Sequence, residues 1–301
     1  MKQNTLFLII LIIFILGAGV CLSQNNIQYS SSSSNFYLEN YKDFFKPLIK
    51  SADKPSLNAN IALVALDDGD EKILYAKNLK EKSAIASLTK LMTAVVVIEN
   101  YPLDSLIEID EQTLEDTWGT SGNLRSGEHI TVEDLLKIML IESSNDAAEC
   151  LASKINRDNF LFLMNEKAKE LKMKSTSFVN PSGLDEDNGD CNISSAQDLA
   201  TLISYIIKEY PLISEILSSK EDYVISQEGI YHALENTNIL LEELPQESWG
   251  KTGYTEKANG CLVLMTKTPN DDTIINIIIN ADERFEEMEK LINWTDNTFV
   301  F

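Results

Sequence analysis

From Leu6 to Leu22 the chain runs through seventeen residues with neither a charge nor a proline, and polar sequence follows at once. That length lies between an export-signal core and a membrane-spanning helix, which needs about 20 apolar residues. With Lys2 ahead of the run, residues 1–23 read as a signal peptide or an N-terminal membrane anchor. The anchor is favoured, because no small-x-small cleavage site follows and Val20 before Cys21 makes a poor lipidation box. Residues 24–56, with Ser30–Ser34, have the composition of a flexible tether and lead-in.

Beyond the tether, the hydrophobic period changes twice. Asn60–Leu66 and Lys72–Ala76 are short β-rich runs around Asp67-Asp68-Gly69-Asp70, the pattern of a hairpin. A helical block continues to about Leu217. In it, Ser87–Ile98 is apolar almost all round and predicts a buried helix. Thr131 and Asp134 mark a capped start, and Ala147–Ile155, Asn159–Leu171 and Ala196–Ile207 keep helical spacing. The last third returns to strands at Tyr223–Ile225, Ile230–Leu234, Ser248–Gly253, Cys261–Lys267 and Thr273–Asn280, before a closing helix at Phe285–Trp294. Strands at both ends of a helical insert predict an α+β fold whose N- and C-terminal strands are sheet neighbours. Residues 57–301 are expected to form one domain, with no internal repeat.

Composition narrows the function. Forty-seven acidic against 25 basic side chains give a formal charge of −22, which repels phosphate backbones and excludes nucleic acid as a partner. Cys150, Cys191 and Cys261 are far apart and lack metal-ligand spacing, so neither a disulfide framework nor a zinc site is expected, nor any other cofactor. Cys150 and Cys261 sit in apolar runs, as small buried hydrophobes do. The only histidines, His129 and His232, give little material for a Ser-His-Asp triad and read as surface or half-buried side chains. The acidic runs Asp67–Glu71 and Asp185–Asp190 lack the ordered spacing of a calcium loop and read as solvated loops.

Three short stretches carry candidate chemistry. Ser87 and Lys90 are three residues apart in the apolar run, hence within reach on one face, and burial would favour the neutral amine of Lys90 as a base for the serine. Taken alone, the pair is equally a cap and a snorkelling lysine. Glu142-Ser143-Ser144-Asn145-Asp146 lies at a helix junction, where Ser143 and Asn145 either share a turn facing a cleft or simply cap a helix. Trp249-Gly250-Lys251-Thr252-Gly253-Tyr254-Thr255 suits either an edge strand that takes up an extended peptide ending in a carboxylate, or a turn. Trp118 and Trp249 flank these stretches and either line the site or pack beside it.

In this order, S-x-x-K, S-x-N and K-T-G together form the signature of penicillin-binding proteins and class A β-lactamases. The chain resembles the serine-type D-alanyl-D-alanine carboxypeptidases, low-molecular-mass penicillin-binding proteins of peptidase family S11. The likeness extends to Gly127-Glu128, Phe178–Leu184, Asp198-Leu199-Ala200 and Asn236-Thr237-Asn238, over roughly Leu57 to Trp294. It implies a five-stranded antiparallel sheet packed against a helical region. It also implies Ser87 as nucleophile, Lys90 as general base and Ser143 as proton relay to the leaving D-alanine. Asn145 would hold the acyl side chain, Lys251 would keep the site electropositive and Thr252 would bind the terminal carboxylate. The N–H groups of Ser87 and Tyr254 would form the oxyanion hole beside Gly253, and Arg284 matches a family arginine near the carboxylate.

The expected partners are therefore peptidoglycan stem peptides ending in D-Ala-D-Ala, β-lactams as inhibitors, and the membrane through the N-terminal segment. The site would lie outside the cytoplasm, at the cell surface or in the periplasm. Ser144 stands where the family usually has glycine, and the chain ends at Phe301, where many relatives continue into a further β-rich domain and a C-terminal anchor. Three alternatives share these residues: a D,D-endopeptidase on cross-linked peptidoglycan, a β-lactamase, and a non-catalytic cell-wall binding protein. The second needs a loop glutamate to activate water. Glu186 is in the right interval, but Gly183–Asn188 follows the carboxypeptidase pattern.

Overall fold

Five strands rich in β-branched residues pair across the length of the chain: β1 (Ile61–Asp67), β2 (Glu71–Lys77), β3 (Trp249–Thr255), β4 (Asn259–Lys267) and β5 (Thr273–Ala281). Their order in the sheet is β3-β4-β5-β1-β2, antiparallel throughout, so β5 near the C-terminus lies against β1, with Ile277 opposite Leu63. This is the expected sheet. The computed structural model describes residues 48–49 and 53–301, apart from 68–70, 118, 120 and 121. The Leu6–Leu22 segment, the serine-rich tether, the tip of the Asp67–Asp70 turn and Trp118 lie outside the described residues.

Central strands are covered on both faces, which is why β1 and β5 read as nearly unbroken apolar runs. Successive side chains point to opposite faces and enter two separate cores. Ile61, Leu63, Ala65, Val263, Ile275 and Ile277 face the helical region. Ala62, Val64, Leu66, Leu262, Leu264 and Ile278 face Met288 and Leu291 of the closing helix.

Eight helices are found among the described residues: α1 (Lys90–Asn100), α2 (Glu111–Asp116), α3 (Val132–Ile141), α4 (Asn145–Ser153), α5 (Arg157–Glu170), α6 (Ala196–Glu209), α7 (Pro211–Ser218) and α8 (Arg284–Thr298). Side-chain caps set several starts: Thr131 accepts from the Asp134 N–H at 3.1 Å and Ser144 from the Ala147 N–H at 3.1 Å. α1 is buried along Lys90–Val97 and runs through the helical core. Among the described residues no helix is long and apolar enough to cross a membrane.

The structure alters four expectations. Ser87 is not inside the α-helix: Ala86–Thr89 is a 3-10 turn and the α-helix begins at Lys90. The strands near 223 and 231 stay out of the sheet and pair only with each other, as Glu221–Ile225 and Tyr231–Glu235. His232, on the inner face of that hairpin, is 4% exposed and hydrogen-bonded to buried Glu128 at 2.7 Å, rather than being a surface or half-buried side chain. Finally, the folded unit begins at Leu48, ahead of Leu57, because Leu48–Ile49 pairs with Phe299–Val300. Its lead-in is pinned by the Glu287 carboxylate, which accepts from the N–H groups of Asn58 and Ala59 at 2.6 and 3.0 Å. The Lys77 ammonium donates to the Leu57 and Ala59 carbonyls at 3.0 and 2.6 Å.

Candidate active site

The backbone at Ser87 is clamped from two sides. Ala86 has φ 47°, a left-handed conformation that costs an L-residue about 1–2 kcal/mol. On one side is Gly183, φ 94°, where a Cβ would lie 2.0 Å from the Ala86 carbonyl oxygen and 2.9 Å from the Ser87 nitrogen. On the other is Gly253 of β3, where a Cβ would lie 3.0 Å from the same nitrogen. Two glycines thus let a loop and a strand approach one peptide group more closely than any side chain allows, and they fix its position.

Lys90 begins α1 just beyond this turn and is completely buried. Its Nζ lies 3.0 Å from Ser87 Oγ, 2.8 Å from Asn145 Oδ1 and 2.6 Å from the Ser182 carbonyl oxygen. The last two are carbonyl-type oxygens and only accept. A neutral amine therefore spends its two hydrogens on Asn145 and Ser182, and its lone pair is left directed at the Ser87 hydroxyl. Burial favours this neutral form, holding Lys90 well below the usual lysine range. The Lys251 charge pushes the same way and the Glu149 carboxylate opposes it.

Ser143 lies in the turn between α3 and α4, and Asn145 is the first residue of α4. Ser143 is 9% exposed with φ 63°, and Asn145 opens α4 with its side chain on Lys90. The loop before α3 packs on this turn, since a Cβ on Gly119 would come within 2.8 Å of Asn145 Nδ2. Ser143 is not among the three partners of Lys90.

The third stretch is the expected edge strand, β3, which pairs on one side with β4. Lys251 is 1% exposed, and its Nζ donates to the Thr252 carbonyl at 3.2 Å. Burial, with the Arg284 charge as a second cause, brings its pKa down to about 7. The Thr252 hydroxyl meets that of Thr237 at 2.6 Å, while the Tyr254 side chain is exposed. Arg284, at the start of α8, is half-buried with its guanidinium 4.7 Å from the Phe285 ring centroid. It packs beside Gly260, the β4 partner of Tyr254, and its buried Nε has no hydrogen-bond partner among the described residues. Trp249 is 6% exposed and belongs to the helical core.

Two participants escaped the sequence reading. Ser182 contributes a carbonyl oxygen, which residue type does not advertise, although its Phe178–Leu184 run was part of the resemblance. Thr237 lies in Asn236-Thr237-Asn238, another such run, where nothing in the sequence ties it to Thr252.

A buried lysine bonded to a serine on a strained turn, beside the edge of an antiparallel sheet, is an arrangement that could activate the serine without a histidine. A family model described as D-alanyl-D-alanine carboxypeptidase matches residues 49–283. The chain belongs to that family. It is 35% identical over 241 residues to D-alanyl-D-alanine carboxypeptidase DacF of Bacillus subtilis, covering 77% of this chain and 60% of that protein. To a D-alanyl-D-alanine endopeptidase of Escherichia coli it is 31% identical, covering 82% of this chain and 80% of the relative. Among solved structures, the ampicillin-bound form of penicillin-binding protein D2 from Listeria monocytogenes superposes with a TM-score of 0.70 at 32% identity, covering 80% of this chain and 98% of that one.

Proposed function

We propose that the protein is a serine D-alanyl-D-alanine carboxypeptidase that removes the terminal D-alanine from peptidoglycan stem pentapeptides. The observation that carries this reading is the environment of Lys90, whose two carbonyl acceptors leave its lone pair for the Ser87 hydroxyl. An extended peptide lies along β3, with its terminal carboxylate toward Thr252, Thr237 and the cationic side chains of Lys251 and Arg284. Ser87 Oγ attacks the carbonyl of the penultimate D-alanine as its proton passes to Lys90. The developing oxyanion is met by the N–H groups of Ser87 and Tyr254. Ser143 relays the proton from Lys90 to the departing amine and D-alanine leaves. Lys90, neutral again, takes a proton from water, which attacks the Ser87 ester, and returns it to Ser87 Oγ as the shortened stem peptide is released. Asn145 serves both ends of the exchange, orienting Lys90 and holding the acyl side chain.

A β-lactam presents a strained amide and a carboxylate to the same groups and acylates Ser87. The folded unit from Leu48 to Phe301 supplies this chemistry, and the Leu6–Leu22 segment tethers it to the outer side of the cytoplasmic membrane through the serine-rich stretch between them. Incubating the full-length protein with benzylpenicillin tests the reading: its intact mass should rise by one penicillin, and Ser87→Ala should abolish the increase. An adduct retained by Ser87→Ala would remove Ser87 as nucleophile.

A second reading, D,D-endopeptidase action on cross-linked stems, is favoured by one observation: proteins named D-alanyl-D-alanine endopeptidase from Escherichia coli and Pseudomonas aeruginosa are 31% and 33% identical to the chain. Digestion of purified cross-linked muropeptide dimers separates the two, because only an endopeptidase converts dimer to monomer.

A further inference from the structure

Lys90 is aimed by two acceptors, and one of them, the Ser182 carbonyl, is carried by a loop. The loop is tied to α1 at two points, Ser182 O to Lys90 at 2.6 Å and Pro181 O to the Thr93 hydroxyl at 2.6 Å. Its shape is held by buried Asn180, whose Oδ1 accepts from the Gly183 N–H at 2.7 Å and whose Nδ2 donates to the Leu184 carbonyl at 2.8 Å. The same Nδ2 donates to Glu186 Oε1 at 2.9 Å. Glu186 Oε1 in turn accepts from Arg157 Nη2 at 3.4 Å, and Arg157 Nε donates to Glu149 Oε2 at 3.0 Å. Glu149 is on α4, the helix that Asn145 opens, so the bridge joins the elements bearing both acceptors of Lys90.

We propose that Arg157, bridging Glu149 and Glu186, is a positioning residue: it locks the Ser182 loop to α4 so that the two acceptors of Lys90 keep a fixed separation. The bridge forms one wall of a cavity of about 430 Å³ that also reaches Asn180 and Ser182. Without it the loop has open space to relax into. An exposed ion pair alone contributes little to stability. This one differs in that Glu149 is only 15% exposed and the chain of bonds ends on the amine that takes the nucleophile's proton.

Electrostatics adds an independent signature. The charged groups acting on Lys90 are Lys251 from β3 and Glu149 from α4; those acting on Glu149 are Arg157, Glu186 and Lys90. Glu149 is the only one of the two on Lys90 that favours its ammonium form. Replacing it by glutamine leaves the neutral amine more favoured, so the acid limb of the acylation profile moves to lower pH.

This inference rests on the proposed acylation chemistry, and the test separates the two. Acylation of the full-length protein by benzylpenicillin is followed to saturation, giving an apparent Kd and a maximal rate constant at each pH. Arg157→Ala and the surface change Glu186→Gln should each lower the maximal rate constant about tenfold with the apparent Kd little changed. Arg157→Lys should restore part of it, and Glu149→Gln should shift the acid limb downward. Wild-type rate constants in both Arg157→Ala and Glu186→Gln would overturn the positioning role, as would a loss shared between Kd and rate that Arg157→Lys does not rescue. Absence of acylation in the wild type would instead overturn the proposed function.

Discussion

Gly183→Ala measures how tightly the nucleophile is held. The new Cβ would start 2.0 Å from the Ala86 carbonyl oxygen and 2.4 Å from its carbonyl carbon, both main-chain atoms. Relieving the first contact to an ordinary separation needs a shift of about 1.4 Å. Gly253 limits how far the Ala86–Ser87 peptide can move, since a Cβ there would lie 3.0 Å from the Ser87 nitrogen and 3.1 Å from the Ala86 Cβ. A displacement of that size at the nucleophile costs about 100-fold in rate, or about 2.7 kcal/mol of transition-state stabilisation. Backbone strain at a positive φ costs stability as well, about 1–2 kcal/mol. Gly229→Ala separates the two effects: its φ is 81° but nothing lies within 4 Å of the added Cβ. The assay is the maximal rate constant of acylation by benzylpenicillin, beside urea unfolding of each variant. Gly183→Ala should lose about two decades of rate and Gly229→Ala none, with both losing stability. A folded Gly183→Ala protein acylating within about threefold of wild type would refute the clamp.

Four further outcomes follow from the same geometry. Lys251, with a pKa brought down to about 7 by burial, is charged only at lower pH; if that charge attracts the substrate carboxylate as proposed, kcat/KM should fall as pH rises through 7. The linkage has the opposite effect on stability: between pH 7 and about 10.4 the unfolded chain binds the extra proton, so stability rises with pH, and Lys251→Met should flatten that rise in urea titrations. Thr237→Val removes the hydroxyl bonded to Thr252 and should raise KM for carboxylate-terminated peptides about tenfold, with kcat changed less, in steady-state assays. Cys150 and Cys261 are buried with thiols pushed up to about 12, so iodoacetamide at pH 8 should leave both unmodified in peptide maps of the native protein and label both in urea.

How far the chain could be read from its sequence depended on where the physical cause lay. β1 and β5 were legible because burial on both faces leaves continuous apolar runs, and the cap at Thr131 stands in the sequence as Thr-x-x-Asp. The hairpin at 221–235 has the same local alternation as a sheet strand, and only its tertiary surroundings separate it from β3. In the site, Ser87, Lys90, Asn145, Lys251 and Thr252 follow from the order of three motifs, as side chains whose chemistry is written in their identity. Ser182 and the Arg157 bridge do not. The first acts through its backbone, and Glu149, Arg157 and Glu186 look like ordinary surface charges until folding brings α4, α5 and the loop together. His232 was misjudged for a related reason: its partner Glu128 is 104 residues away.

The central claim is that Ser87, activated by Lys90, cleaves a D-Ala-D-Ala bond. It is tested most directly by D-alanine release from a diacylated L-Lys-D-Ala-D-Ala tripeptide, comparing the full-length protein with its Ser87→Ala variant. The account predicts one D-alanine released per tripeptide by the wild type and none above background from the variant. Release that persists in Ser87→Ala, or no release from a wild type that penicillin still acylates, would contradict it.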